Sequence, residues 1–400
     1  MALIVQKFGG SCLYNDESVK NAARIIVEEK KKGNDVIAVV SAQGNTTDIL
    51  LEKALRMGKN PSKRELDVIM SAGEQLSASL LSIAVEDLGY ECVSLLGWQA
   101  GIKTNSSYGF ARVKDIDTSR IKKELSRKKI VVIAGFQGLN EKNDMTTLGR
   151  GGSDTTAVSL AAAMKAEKCQ IFSKIDGIYT ADPEKVEEAK KLKEIQYEAM
   201  QELAFLGVKV LNPRAVELAH KYDVVIEVKS AFIEGDGTFV KESVQMEKML
   251  ISGVTKQTNL VQMTVSSVEN KPGTAFNIFG ILAKENINVD IIMQTEDVNN
   301  TVKIVFLVGE EEVEKATQLL ENRGIDSEKI EVNSNIAKVS VVGLGIESHP
   351  GVAAAIFEAL SEKNINISLI SSSELRFSVV VNKDVADDAV KAIHKRFINI

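Results

Sequence analysis

Cysteine and histidine are scarce, with three of each in 400 residues. Cys12, Cys92 and Cys169 lie far apart and show no CxxC spacing, which argues against a disulfide framework and a thiolate zinc site. His220, His349 and His394 are equally scattered, so imidazole acid–base chemistry is not where the activity is sought. No window reaches the roughly 18 consecutive apolar residues of a membrane span, and Met1-Ala2-Leu3-Ile4-Val5 lacks the basic start of a signal peptide. A cytoplasmic location is expected. The chain carries 49 Lys+Arg against 55 Asp+Glu, and the resulting formal charge of −6 gives no electrostatic hold on nucleic acid or anionic lipid. Hydrophobic residues at 44% and charged residues at 26% describe an ordinary globular protein, and the length calls for two to three domains.

Up to about residue 240, short β-branched runs alternate with amphipathic stretches, the pattern of a mainly parallel sheet with helices on its faces. Strands are expected at 3–6, 36–40, 92–96, 130–134, 169–172 and 224–228, and helices at 18–32, 64–88, 155–166 and 214–222. After Ile233-Glu234-Gly235-Asp236-Gly237 the texture changes to smaller units. The segment from Pro272-Gly273-Thr274-Ala275 through Ile292 recurs from Pro350-Gly351-Val352-Ala353 through Ile370, at a constant offset of 78 residues. Each copy reads as a strand, a Pro-Gly turn, a helix, Asn-Ile-Asn and two strands, so a pair of ferredoxin-like α+β modules is expected. The boundaries are 1–240 for the large domain, 241–258 for a linker that includes a strand around 250–255 completing the second module, 259–333 for the first module and 334–400 for the second.

Three glycine-rich segments stand at strand ends: Gln6-Lys7-Phe8-Gly9-Gly10-Ser11, Ser41-Ala42-Gln43-Gly44-Asn45-Thr46-Thr47, and Thr147-Leu148-Gly149-Arg150-Gly151-Gly152-Ser153-Asp154. Backbone without Cβ lets N–H groups approach an anion, and a following helix N-terminus adds positive potential, so together they form a phosphate cradle. Neither GxxxxGK[ST] nor a protein-kinase GxGxxG is present. Lys7 beside the glycines can place an ammonium on oxygens that gain charge in phosphoryl transfer; the alternative is a solvated strand end. Arg150, flanked by glycines, is free to pair with a small carboxylate in bidentate fashion. Asp154 reads either as a helix N-cap or as an orienter of Lys7 or a metal. Glu74, inside the apolar Ser71-Ala72-Gly73-Glu74 stretch, calls for a partner such as a substrate ammonium.

In this order Lys7-Phe8-Gly9-Gly10-Ser11, Ser71-Ala72-Gly73-Glu74, Thr147 to Asp154, Gly177-Ile178-Tyr179-Thr180-Ala181-Asp182-Pro183 and Lys209-Val210-Leu211 resemble the aspartate kinase family, and the tandem modules resemble its two ACT domains. The resemblance implies an amino-acid-kinase three-layer sandwich followed by two ACT modules. It implies transfer of the ATP γ-phosphoryl group, with Mg²⁺, to the side-chain carboxylate of L-aspartate, giving 4-phospho-L-aspartate for lysine, threonine, methionine and diaminopimelate synthesis. It further implies feedback by lysine and/or threonine, and a homodimer through the ACT modules.

By the same resemblance, Lys7 is the catalytic lysine and Asp154 its organising aspartate. Substrate contacts fall to Ser41, Thr47, Glu74, Phe136, Arg150, Gly151 and Ser153. The nucleotide falls to Lys7, Phe8, Gly9, Gly10, Ser173, Lys174, Tyr179, Asp182, Lys209 and Val210. No metal ligand is assigned. Effector candidates are Asn288, Val289, Asp290 and Gln294 in the first copy and Asn366 and Ile367 in the second. Asp290 suits an α-ammonium, and its counterpart Ser368 carries no charge, so only one repeat is expected to bind effector at full strength. Two departures stand out: Lys174 replaces a usual acidic residue beside the nucleotide, and Asn212 replaces a frequent histidine. A carboxylate acceptor is already ionised at neutral pH, so no general base is needed. Rival readings are another amino-acid kinase, a non-catalytic amino-acid sensor, and a dehydrogenase prompted by Val342-Gly343-Leu344-Gly345, whose third glycine and downstream acid are missing.

Overall fold

A computed structural model describes residues 2–242, 251–297, 300–344, 346, 349 and 351–398. Leu250, Gly345 and Pro350 lie outside the described residues, so the strand expected over 250–255 is described from residue 251 on. The chain forms two compact units, 1–179 with 191–248, and 180–190 with 249–400.

The first unit is built on an eight-stranded sheet in the order Glu194–Ile195, Thr238–Val240, Ile226–Ser230, Lys168–Ser173, Leu3–Phe8, Asp35–Val40, Ile130–Ala134, Cys92–Leu95. Every pairing is parallel except that of Ile226–Ser230 with Thr238–Val240. Continuous apolar runs such as Val36 to Val40, each with no exposed surface, are what a strand covered on both faces requires. On one face Phe8, Ala38, Val40, Val132 and Ala134 pack with residues of helices Asp16–Lys31 and Lys63–Asp87. The alternating residues Val5, Ile37, Val39, Val131 and Ile133 are equally buried and point the other way, where helix Gly152–Met164 packs on the central strands. The result is a three-layer sandwich. All six expected strands and four expected helices are present with ends moved by a few residues. A second small sheet, ordered Val113–Ile116, Ile102–Thr104, Gln137–Leu139, Met145–Thr147, escaped the sequence reading because its strands are three or four residues long. Helix Thr46–Met57 escaped too, since it buries no side chain.

The second unit holds two four-stranded antiparallel sheets. One is ordered Asp290–Asp297, Thr301–Gly309, Leu260–Glu269, Ile330–Asn333. The other is ordered Gly253–Gln257, Ile336–Val342, Arg376–Asn382, Leu369–Ser372. Strand Gly253–Gln257 precedes the first sheet in sequence yet pairs with Ile336–Val342 of the second, so the two sheets are interleaved along the chain. Val305, Leu307, Ile336, Leu369 and Val380 join them through a shared apolar cluster. Residues 180–190 interrupt the contiguous 1–240 block expected from sequence. Ala181 and Val186 enter the core of the second sheet's module, Thr180 O accepts the Val254 N–H at 2.8 Å, and Thr180 Oγ1 lies 2.8 Å from His394 Nε2.

Candidate functional site

The parallel register brings the C-terminal ends of Leu3–Phe8, Asp35–Val40, Ile130–Ala134 and Lys168–Ser173 to one edge of the large sheet, the place where open α/β sheets bind ligands. Lys7 stands there, with its Nζ 2.7 Å from Asp154 Oδ1 and both side chains about nine-tenths buried, at 12% and 10% exposure. Asp154 belongs to the first turn of helix Gly152–Met164 but makes no capping bond; its other oxygen accepts the Asn212 N–H at 3.2 Å. Of the two readings open from sequence, orienting Lys7 is therefore the one realised. Gly10 lets its loop approach the next: a Cβ there would sit 2.6 Å from Ala42 O, and Gly10 O accepts the Gly44 N–H at 3.0 Å.

Glu74 projects from helix Lys63–Asp87 with 3% exposure. Its Oε1 accepts the Ala42 N–H at 2.9 Å, while Oε2 is buried with no partner among the described residues. Burial pushes its pKa up to about 7, against the opposing pull of that N–H and of the Lys7 charge. A buried oxygen without a donor among the described residues is free to accept one.

Arg150 is exposed at the start of helix Gly152–Met164 and takes part in no ion pair among the described residues. Its position is set through backbone. Asn212 Nδ2 donates to Arg150 O at 2.8 Å while Asn212 Oδ1 caps helix Pro213–Tyr222 by accepting the Arg214 N–H at 3.0 Å. Gly151, at φ +72°, leaves room for that amide; a Cβ would lie 2.3 Å from Asn212 Nδ2. Asn212, which sequence flagged only as a departure, thus ties Asp154 and Arg150 together. Phe136 is held at φ +69° with its N–H on Thr156 Oγ1 at 3.0 Å, a strained conformation in a bulky residue at the same edge. Ser41, half-buried, follows its strand and donates its N–H to Phe8 O at 3.1 Å; Thr47 lies in the first turn of Thr46–Met57, and Ser153 is buried beside Asp154.

Some expected nucleotide residues sit differently from what their side chains suggested. Phe8 has no exposed surface and stacks on Phe172 at 4.8 Å between ring centroids, so it offers the site backbone only. Ser173 Oγ is engaged with the backbone of Ile175, and the Tyr179 hydroxyl donates to Asp176 Oδ1 at 2.8 Å. Lys174 is exposed, and its charge, with that of Lys7, acts on the buried Cys12 thiol in the glycine loop, whose pKa burial raises. Lys209 is exposed and Val210 half-buried, two and one residues ahead of Leu211. Asp182 lies in the 180–190 segment of the second unit, accepting the Glu184 N–H at 3.0 Å.

Among the effector candidates, Asn288, Gln294 and Asn366 are exposed, and Val289 and Ile367 half-buried. Asp290 stands at a β-bulge beside Ile291, whose φ is +41°, and its carboxylate pairs with Lys338 Nζ of the second module. The seat expected for an effector ammonium is thus taken by the chain's own lysine.

Comparison with known proteins adds to this geometry. Residues 2–230 match the amino acid kinase family, and residues 263–324 and 339–397 each match an ACT domain. Aspartokinase 2 of Bacillus subtilis is 46% identical over 400 residues, covering 99% of this chain and 98% of the relative. The aspartokinase of Corynebacterium glutamicum is 43% identical over 407 residues, 99% and 96% of the two chains. Among solved structures, E. coli aspartokinase III in complex with aspartate and ADP superposes with a TM-score of 0.83 at 24% identity, over 99% of this chain and 100% of that one. Aspartate kinase from Synechocystis superposes with a TM-score of 0.56 at 34% identity, over 99% and 69%.

Proposed function

The chain belongs to the aspartokinase family and phosphorylates aspartate at the expense of ATP, and from that premise we propose which residues carry the reaction. The observation that bears most weight is the Lys7–Asp154 pair at 2.7 Å set beside the unpartnered Glu74 Oε2. Glu74 takes the substrate α-ammonium and Arg150 its α-carboxylate, so that the side-chain carboxylate is presented toward Lys7. Ser41, Thr47, Phe136, Gly151 and Ser153 shape the rest of the acceptor seat. Lys7, held by Asp154, neutralises charge gathering on the transferred phosphoryl oxygens, with the glycine-loop backbone and the start of helix Gly152–Met164 contributing.

The nucleotide lies along Phe8 to Gly10, Ser173, Lys174, Tyr179 and Lys209-Val210. Lys174, exposed directly after Ser173 at the end of its strand, pairs with phosphate. Asp154 would be the cleft carboxylate to hold Mg²⁺ were the ion to enter with ATP, and the ion would supply screening of the phosphate charge. Two anions must meet here, and no proton need be removed from the acceptor, so positioning and charge neutralisation suffice.

The two ACT modules suit allosteric control by an end-product amino acid, lysine or threonine, of a biosynthetic route that consumes the acyl phosphate. E. coli aspartokinase III has also been solved with lysine and aspartate in a T state. Repeat-equivalent Ile292 and Ile370 are 56% and 43% exposed, which suits a homodimer formed through these modules. One described helix, Lys63–Asp87, is long and apolar enough to cross a membrane, but it carries the buried Asp67 and Glu74 inside the first unit. A cytoplasmic location fits that placement. A coupled ADP-release assay tests the reading. Release is expected with L-aspartate and not with L-glutamate or without acceptor; release indifferent to aspartate refutes it.

A further inference from the structure

We propose that Asp67 is a positioning residue for the acceptor site, fixing the span between the groups that grip the two ends of the substrate. The inference rests on the assignment of Glu74 and Arg150 above. Helix Lys63–Asp87 carries Asp67 and Glu74 two turns apart on one face. Glu74 is one grip; Asp67 reaches the other.

Asp67 has no exposed surface. Its Oδ1 accepts the Thr147 hydroxyl at 2.6 Å, its Oδ2 accepts the Thr147 N–H at 3.0 Å, and both oxygens lie 3.0 Å from the Gly109 N–H. Thr147 ends the short strand Met145–Thr147, three residues ahead of Arg150. Gly109 belongs to the neighbouring loop, which is tied to the same strand where Ala111 N–H donates to Thr147 O at 2.9 Å. From the other side Arg214 donates to Leu148 O at 3.1 Å and Ala111 O at 2.9 Å. The loop bearing Arg150 is therefore anchored to the helix bearing Glu74 by one carboxylate.

The choice of residue supports the role. Every group that meets Asp67 is a donor, so the position calls for an acceptor-only side chain, and asparagine would set an amide N–H against other N–H groups. Burial raises the pKa of Asp67, opposed by the Thr147 and Gly109 bonds, and it forms no ion pair among the described residues. A charge held this way is a costly means of joining two loops and is repaid in rigidity, because a displacement of about 1 Å at a reacting group can cost about 100-fold in rate. Asp67 itself is too deep to touch substrate and acts through Thr147.

The test is steady-state kinetics of the full chain carrying Asp67→Asn, Thr147→Val or Thr147→Ser, each with a thermal melt. Asp67→Asn is expected to raise the KM for aspartate about tenfold or more while the KM for ATP stays within about twofold. Thr147→Val is expected to raise the aspartate KM by less, and Thr147→Ser, which keeps the hydroxyl, to restore it. Thr147→Val preserves shape and decides the matter if Asp67→Asn does not fold. An aspartate KM unchanged in Thr147→Val and in any folded Asp67→Asn overturns the proposal, as does an equal rise in both KM values. Arg150→Gln is measured alongside: an unchanged aspartate KM there refutes the clamp assignment itself, and the Asp67 proposal with it.

Discussion

Lys7 and Glu74 show how burial turns ordinary side chains into chemical ones. Lys7 is fixed by Asp154 at 2.7 Å, so its charge is aimed before substrate arrives. Replacing it with alanine should lower turnover by about 10³-fold or more, with an unchanged melting curve showing that the fold survives; near-normal turnover would remove it from the mechanism. Glu74 carries a pKa of about 7 against a usual 4.5. On the proposed assignment its ionised form takes the substrate ammonium, so the aspartate KM should climb as pH falls from 8 to 6, measured at saturating ATP. The same shift acts on stability. Between the unfolded pKa and the folded one, the native state holds a proton that the unfolded chain has lost, so stability falls as pH rises through that window. Glu74→Gln should therefore raise stability at pH 8 by on the order of 1–3 kcal/mol while impairing aspartate binding; calorimetry at pH 8 checks it, and a destabilised variant would contradict it.

Among the elements, the start of helix Gly152–Met164 is where local backbone and chemistry are least separable. Gly151 is left-handed and packed against Asn212, whereas Gly33, at φ +87°, has nothing within 4 Å of a built Cβ. Both should resist alanine for conformational reasons at about 1–2 kcal/mol. Only Gly151→Ala should also displace Asn212 and Arg150, so its aspartate KM should rise while that of Gly33→Ala stays at the wild-type value; matching kinetics in the two would deny Gly151 its part in the site. Sequence marked Gly151 and Arg150 readily, because a glycine cluster ahead of an apolar helix is a local signal. It left Asn212 as an oddity and passed over Asp67 altogether, since the partners of Asp67 and the Asp154 and Arg150 partners of Asn212 lie 42 to 80 residues away in the chain.

For the molecule as a whole, the second unit is joined across its modules by an unequal pair: Lys338 has a side chain 2% exposed, Asp290 one 26% exposed. Removing the anion takes a carboxylate away from a buried ammonium, whereas removing the cation leaves a carboxylate that water can reach. Asp290→Asn should accordingly destabilise the second unit more than Lys338→Met does, as read by scanning calorimetry of the full chain; the reverse order would show that the pair is not what holds the modules.

Period and repetition were enough to write down six of the eight strands of the large sheet and the tandem modules, because runs such as Val36 to Val40 and the recurring Asn-Ile-Asn are set by neighbours in the chain. The glycine loops, Lys7, Glu74, Arg150 and Asp154 were legible for the same reason: each sits in a short segment whose composition is unusual. Tertiary structure alone decided which oxygen of Glu74 lacks a donor, that Asp154 serves Lys7 instead of capping its helix, that Asp290 is already matched by Lys338, and that residues 180–190 belong with the second unit. Those outcomes depend on groups distant in sequence competing for the same few buried positions, and a buried hydrogen bond or charge is settled only when all the contenders are in place.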